Sequence, residues 1–200
     1  MKESIKMIIV LTLICGMFSV TLASLKEATE SRIEEQVLTY VQGPAINQVL
    51  KGFDNSPVKD RKKLTLPGTE TQVTIFPAMK DGKVFGVALE TFAKGYGGDV
   101  GVMVGFNING KKLSGIGITT MKETPGVGSK VAGHGFTSQF ENHLAAAVEL
   151  NSKGGDIDGI AGATVSSTAS VEAVKQAVSI FQKLKPQIAE AWPGSSKDGS

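Results

Sequence analysis

The sequence predicts an α+β protein: an N-terminal transmembrane helix followed by one domain in which an antiparallel sheet is flanked by helices. Three observations predict it. Residues 7–25 form an apolar run without a charge, strand-like runs separated by turn signals fill residues 71–121, and helical periodicity returns after residue 136. Strands grouped together, rather than alternating with helices, argue for α+β and against a doubly wound α/β domain.

Residues 1–6 carry Lys2 and Lys6 and are expected to stay in the cytoplasm. The apolar run that follows, residues 7–25, is close to the roughly 20 residues a helix needs to cross a bilayer core. It reads as an anchor or as an export signal. Thr21-Leu22-Ala23 loosely resembles a small-x-small cleavage site, while the run is longer than a typical signal h-region. Lys26 and Arg32 follow at short range, so the positive-inside count hardly sets orientation, and an inside N-terminus is inferred from the segment's position. Ile14 is too bulky for a lipoprotein cleavage site ahead of Cys15.

Residues 26–50 form a connecting helix, with Ile33, Val37, Leu38 and Val41, then Ile46, Val49 and Leu50, at helical spacing and a break point at Gly43-Pro44. The folded domain is assigned to residues 51–192. Residues 71–76 (TQVTIF) have the β-branched enrichment of a strand, Asp81-Gly82 a hairpin turn, and residues 83–92 and 100–108 two more strands. Asn109-Gly110 is the strongest short hairpin signal, with residues 111–121 as the returning strand. A helix is expected over residues 136–148, where Phe140, Leu144 and Val148 share a face. Phe136 and Phe140 are assigned to the core. A Gly/Asp-rich break leads to an amphipathic helix over residues 170–184, on Val171, Val174, Val178 and Phe181. Residues 193–200 are expected to be a flexible tail.

Composition excludes several functions. The chain is 41% hydrophobic and 20% charged with a formal net charge of +2, too small a surplus to drive binding to a phosphate backbone. Nucleic acid is not an expected partner. One cysteine cannot form an internal disulfide or hold an iron–sulfur cluster, and two histidines without ligand spacing make no metal site. His134 and His143 have no recognisable catalytic partner in the sequence, and no Gly-x-Gly-x-x-Gly fingerprint marks a nicotinamide site. No catalytic set is assigned.

The most informative segment is Asp158-Gly159-Ile160-Ala161-Gly162-Ala163-Thr164-Val165-Ser166-Ser167-Thr168. Gly162 and Ala163 leave the backbone approachable, and Ser166, Ser167 and Thr168 can cap the helix that follows. A helix start of this kind is an anion site, where unpaired N–H groups and the positive end of the dipole favour a phosphate. Local chemistry alone favours the plainer reading, a well-capped helix start with no ligand.

Asp158-x-x-Ala161-Gly162-Ala163-Thr164 followed by Ser166-Ser167 resembles the FMN-attachment motif of flavin-transferase targets, in which the last threonine is esterified to the FMN phosphate. Two further stretches resemble the same FMN-binding domain family, specifically the G subunit of the Rnf ion-translocating electron-transport complex and, more distantly, the C subunit of the sodium-pumping NADH:quinone reductase. Gly95-Tyr96-Gly97-Gly98 resembles its Gly-Tyr loop. Lys122-Glu123-Thr124-Pro125-Gly126-Val127-Gly128 resembles its Glu-Thr-Pro-Gly-Leu-Gly signature. With the anchor, the resemblance spans nearly the whole chain in the family's order.

The resemblance implies a covalent FMN on Thr164, with Gly162, Ala163, Ser166, Ser167, Glu123, Thr124, Gly126, Gly128 and Tyr96 as cofactor contacts and Asp158 as part of what a flavin transferase recognises. Tyr96 could equally pack in the core of a strand connection, and Lys130 reads as a solvent-facing lysine. The implied function is electron relay in a membrane-bound ferredoxin:NAD oxidoreductase coupled to ion translocation. The soluble domain would lie outside the cytoplasmic membrane, and the partners would be the other proteins of the Rnf complex, including a second covalent-FMN membrane protein. An exported flavin domain serving another respiratory chain, or a cofactor-free binding module, are the rival readings. One departure stands out: Ala161 replaces the family's usual Ser or Thr, removing a hydrogen bond worth about 1 kcal/mol.

Overall fold

The computed structural model describes residues 2–192; the expected tail at 193–200 lies outside the described residues. Two units are distinguished, residues 1–40 and residues 41–200. In the first, helix α1 (Lys2–Val37) has no buried residue. An 18-residue window of it reaches a mean hydropathy of 2.4, long and apolar enough for a membrane span. Cys15 is exposed on this helix.

The second unit opens with the end of a π-helical turn (Leu38–Gln42) and helix α2 (Gly43–Val49). Pro44 does not end the helical path. It sits in the first turn of α2, where its missing N–H has no helical acceptor to lose. Ala45, Ile46, Val49 and Leu50 are buried, so α2 is part of the compact unit that begins at Val41, ahead of the expected boundary at residue 51.

Five antiparallel strands follow in the order β1-β2-β3-β4-β5: Lys62–Thr65, Gln72–Lys80, Lys83–Lys94, Asp99–Asn107 and Leu113–Thr120. The turn between β2 and β3 is as expected, with Asp81 and Gly82 at φ 51° and 73°, both left-handed as a two-residue hairpin turn demands. β1 was not foreseen: KKLT is a short, lysine-bearing edge strand with little apolar pattern.

β2 runs past Pro77, where proline chemistry argues for an end. Pro77 pairs with Val87, while β1 pairs only as far as Ile75. The proline nitrogen therefore faces the open side beyond β1, where no ladder bond is lost. Asn55 covers this stretch, its Nδ2 donating to the Pro77 carbonyl at 3.0 Å and its Oδ1 accepting from the Met79 N–H at 2.8 Å.

Helix α4 (Thr164–Ala191) crosses one face of the sheet, burying Val174, Val178 and Phe181 against Val102, Val104 and Phe106. Phe181 stacks on Phe106 with centroids 4.6 Å apart. α2 covers the other face, and a Cβ on Gly105 would lie 2.8 Å from the Val49 carbonyl oxygen, so this strand position must be glycine.

The continuous helix expected over residues 136–148 is not formed. Helix α3 spans only His134–Thr137, a 3₁₀ turn reaches Phe140, and Asn142 has φ 58°. Residues 142–145 instead pair with the start of β5: the Asn142 N–H donates to the Leu113 carbonyl at 3.0 Å and the Leu113 N–H to the His143 carbonyl at 2.9 Å. Phe136, Phe140 and Val148 are buried as a helix would have them, but Leu144 is exposed. Tertiary pairing overrides the apolar spacing here. His143 also has an acidic neighbour distant in sequence, with Nε2 at 2.7 Å from Asp156 Oδ1.

Candidate functional site

The three motif stretches meet at one place, and Glu123 joins them. The side chain follows β5 and is 8% exposed. Its Oε1 accepts from the backbone N–H groups of Tyr96 at 2.9 Å and Gly97 at 3.3 Å, and its Oε2 accepts from the Ser166 hydroxyl at 2.5 Å. Glycines make this approach possible. A Cβ on Gly95 would collide with Glu123 Oε1, one on Gly97 with the Lys122 carbonyl, and one on Gly128 would lie 2.7 Å from Ser166 Oγ and 2.8 Å from Glu123 Oε2.

α4 begins at Thr164, preceded by Gly162 at φ 78°, the left-handed region open to glycine. The first intrahelical bond runs from the Ser167 N–H to the Ala163 carbonyl at 2.9 Å. The N–H groups of Thr164, Val165 and Ser166 therefore have no helical acceptor. No side chain caps the helix, contrary to the expected role of its serines. Ser167 is fully buried and accepts from the Ile160 N–H at 2.9 Å, bracing the preceding loop. Ser166 is buried on Glu123.

An open cavity of about 490 Å³ lies above this junction, lined by Tyr96, Glu123, Thr124, Val127, Gly128 and residues 162–166. Thr164 and Val165, both exposed, also border a second cavity of about 510 Å³ that reaches Phe92 and Gln176. Tyr96 is 76% exposed, which removes the core-packing alternative. Of the sequence-derived candidates, Gly126 and Ser167 do not line the first cavity. Gly126, at φ 74°, shapes its loop through an N–H bond to Ser129 Oγ at 2.8 Å. Lys130 is exposed, as expected.

Asp158 is exposed on the loop leading to α4. Its Oδ1 accepts from Asn151 Nδ2 at 3.0 Å, and its backbone is clamped by Gln139 through bonds of 2.7 and 3.1 Å. Its carboxylate is thus presented outward in a fixed frame.

Sequence reading missed Val127, Val165 and Phe92, which are 40%, 49% and 50% exposed around Thr164. Phe92 and Val165 look like ordinary core residues of a strand and a helix, and Val127 like a turn residue of the Pro125-Gly126 loop. The available signal was position: Val165 is an apolar side chain in the first turn of a helix, ahead of the buried stripe. Polar N–H groups at the helix start beside an apolar rim suit a ligand that carries a phosphate at one end and a flat hydrophobic ring at the other. Among the described residues no group of His, Cys, Asp and Glu could hold a metal ion.

Comparison with known proteins agrees with this geometry. Residues 95–179 match the FMN-binding domain family. The G subunit of the ion-translocating oxidoreductase complex of Shewanella baltica is 33% identical over 129 residues, with 60% of each chain covered. That of Escherichia coli is 30% identical, covering 84% of this chain and 86% of the relative. The G subunit of the Na(+)-translocating ferredoxin:NAD(+) oxidoreductase complex of Acetobacterium woodii is 27% identical over 92% and 94% of the two chains. The crystal structure of Shewanella oneidensis NqrC shares the fold, with a TM-score of 0.52 at 18% identity over 64% of this chain and 69% of that one.

Proposed function

The chain belongs to the G-subunit family of ion-translocating oxidoreductase complexes, and from that premise we propose that Thr164 carries FMN as a phosphoester and that the domain relays electrons within a ferredoxin:NAD oxidoreductase complex. The protein is an electron-transfer flavoprotein component of an ion-translocating oxidoreductase. The observation that carries the attachment is the exposed Thr164 at the first turn of α4, on the lip of the cavity that the other two motif stretches complete.

The residues present fit the cofactor. The free N–H groups of Thr164, Val165 and Ser166 suit the phosphate, Val127, Val165 and Tyr96 offer apolar walls to the ring, Gly128 leaves room for the Ser166–Glu123 contact beneath, and Gly162 takes the left-handed turn that sets the helix start. Thr124 and Ala163 complete the lining. Bound FMN supplies one-electron redox chemistry, and the chain contributes position, access and electrostatics. Attachment through the phosphate leaves the ring unaltered and prevents loss of the cofactor by dilution.

On this reading α1 anchors the chain in the cytoplasmic membrane with the domain on the extracytoplasmic side, and Asp158 is presented to a flavin transferase during maturation. Electrons would pass to and from membrane proteins of the complex, one of them a second covalent-FMN protein. A cofactor-free module gains no support from the site, which sets free helix N–H groups beside an apolar-rimmed cavity.

The test is production of the full chain with a flavin transferase. In-gel fluorescence after denaturation and the mass of the Thr164 peptide are expected to report one FMN, lost in Thr164→Val. An unmodified peptide in the wild-type chain would sink the attachment.

A further inference from the structure

We propose that Glu123 is a positioning residue of the flavin site: its carboxylate ties the Gly95–Gly98 loop to the start of α4 and engages the Ser166 hydroxyl proton, leaving backbone N–H groups to receive the phosphate. The proposal rests on the reading of Thr164 as the attachment point.

Glu123 reaches across 27 residues to Tyr96 and 43 to Ser166, and its carboxylate alone bonds to both segments. It is 8% exposed, and no lysine or arginine forms an ion pair with it among the described residues. Its partners are two backbone N–H groups and one hydroxyl. A structural carboxylate would ordinarily be matched with a cation or left to solvent, since an uncompensated buried charge is costly. Here glycines at 95 and 128 preserve the space around both oxygens, so the backbone is built to keep this group where it is.

Two consequences follow for the cofactor. A serine hydroxyl has one proton, and that of Ser166 is directed at Glu123 Oε2, so the side chain turns only lone pairs toward the cavity. An anionic phosphate is then received by the N–H groups at residues 164–166. Glu123 also lines the cavity. Its negative charge opposes electron addition to a ring seated there, and removing it favours the reduced ring.

The wild-type chain, Glu123→Gln and Glu123→Ala are each produced with a flavin transferase. Loading is read from the Thr164 peptide mass, the midpoint potential by redox titration, and folding by thermal melting. Gln keeps Oε1 for the two N–H groups and donates from Nε2 to Ser166 Oγ, whose proton then turns toward the cavity as an added donor, so E123Q is expected to load at least as well as wild type, with a midpoint potential shifted to more positive values. E123A, which loses all three bonds, is expected to load about tenfold less. A wild-type potential in E123Q, or full loading in E123A, overturns the proposal. If E123A does not fold, the E123Q potential still decides. An unmodified wild-type chain overturns the Thr164 reading instead, and this proposal with it.

Discussion

The Ser166 hydroxyl lies 2.5 Å from Glu123 Oε2, and this bond closes the site from below. It fixes the first turn of α4 against the loop that follows β5, so the helix N–H groups and the cavity wall share one frame. Gly128 is the residue on which the contact depends. A Cβ there would fall 2.9 Å from Glu123 Cβ as well as against both oxygen atoms of the pair.

Gly128→Ala is therefore expected to destabilise the domain by about 1–3 kcal/mol, the usual cost of overpacking a filled site. Denaturant unfolding measures it. Flavin loading should fall with it, because relief of the clash must separate Ser166 from Glu123. Loading and stability both at wild-type levels would show that the loop yields freely.

Phe181→Ala is expected to cost about 3–5 kcal/mol. The ring is 1% exposed, stacks on Phe106 at an interplanar angle of 12°, and also packs against Gly110. The domain melting temperature reports the loss. Because Phe181 stands well along α4 from the helix start that forms the site, the modified fraction of folded protein should not change.

The site's chemistry was legible where it lies in contiguous residues, and the fold where periodicity is undisturbed. Thr164, Gly162 and Gly128 were marked by motif, and four of the five strands by their β-branched runs and turn signals. The role of Glu123 was not legible, because its partners stand 27 and 43 residues away and no local pattern encodes a hydrogen bond across that distance. Phe92, Val127 and Val165 were hidden for the opposite reason: an apolar side chain has one ordinary destination, and only the folded surface shows that these stay outside. The expected helix over 136–148 failed where Asn142 turns left-handed to pair the chain with β5. β2 extends beyond the expected residues 71–76, through Pro77, because proline is forbidden in a strand only on the bonded side.

The exposed pair Glu149–Lys175 gives the pH dependence a defined sign. The hydrogen bond from Lys175, at 2.9 Å, and that from the Leu150 N–H hold the Glu149 carboxyl below its ordinary value of 4.5, and the same pair raises Lys175 above 10.5. A lowered carboxyl pKa stabilises the fold above 4.5 and loses that contribution as pH falls through the folded value; the raised lysine loses its share as pH rises through its own. Lys175→Ala is expected to cost less than about 1 kcal/mol at pH 7, since the lysine is 41% exposed, and progressively less as acid protonates Glu149. Denaturant unfolding at neutral and acid pH, with and without salt, checks the sign.

Ala161→Ser tests the one departure in the attachment motif. Ala161 is exposed in the turn before Gly162, so a hydroxyl there meets no packed neighbour and leaves the fold undisturbed. Domain stability should change by less than about 0.5 kcal/mol, as for other surface substitutions. If the hydroxyl bonds to the transferase or to the incoming phosphate, it contributes about 1 kcal/mol, roughly a fivefold faster modification of Thr164. The measurement is the initial rate of FMN incorporation under limiting transferase, followed by peptide mass. A rate equal to wild type would mean that the backbone frame set by Gly162, Glu123 and Ser166 is sufficient, and that the family's usual hydroxyl is dispensable here.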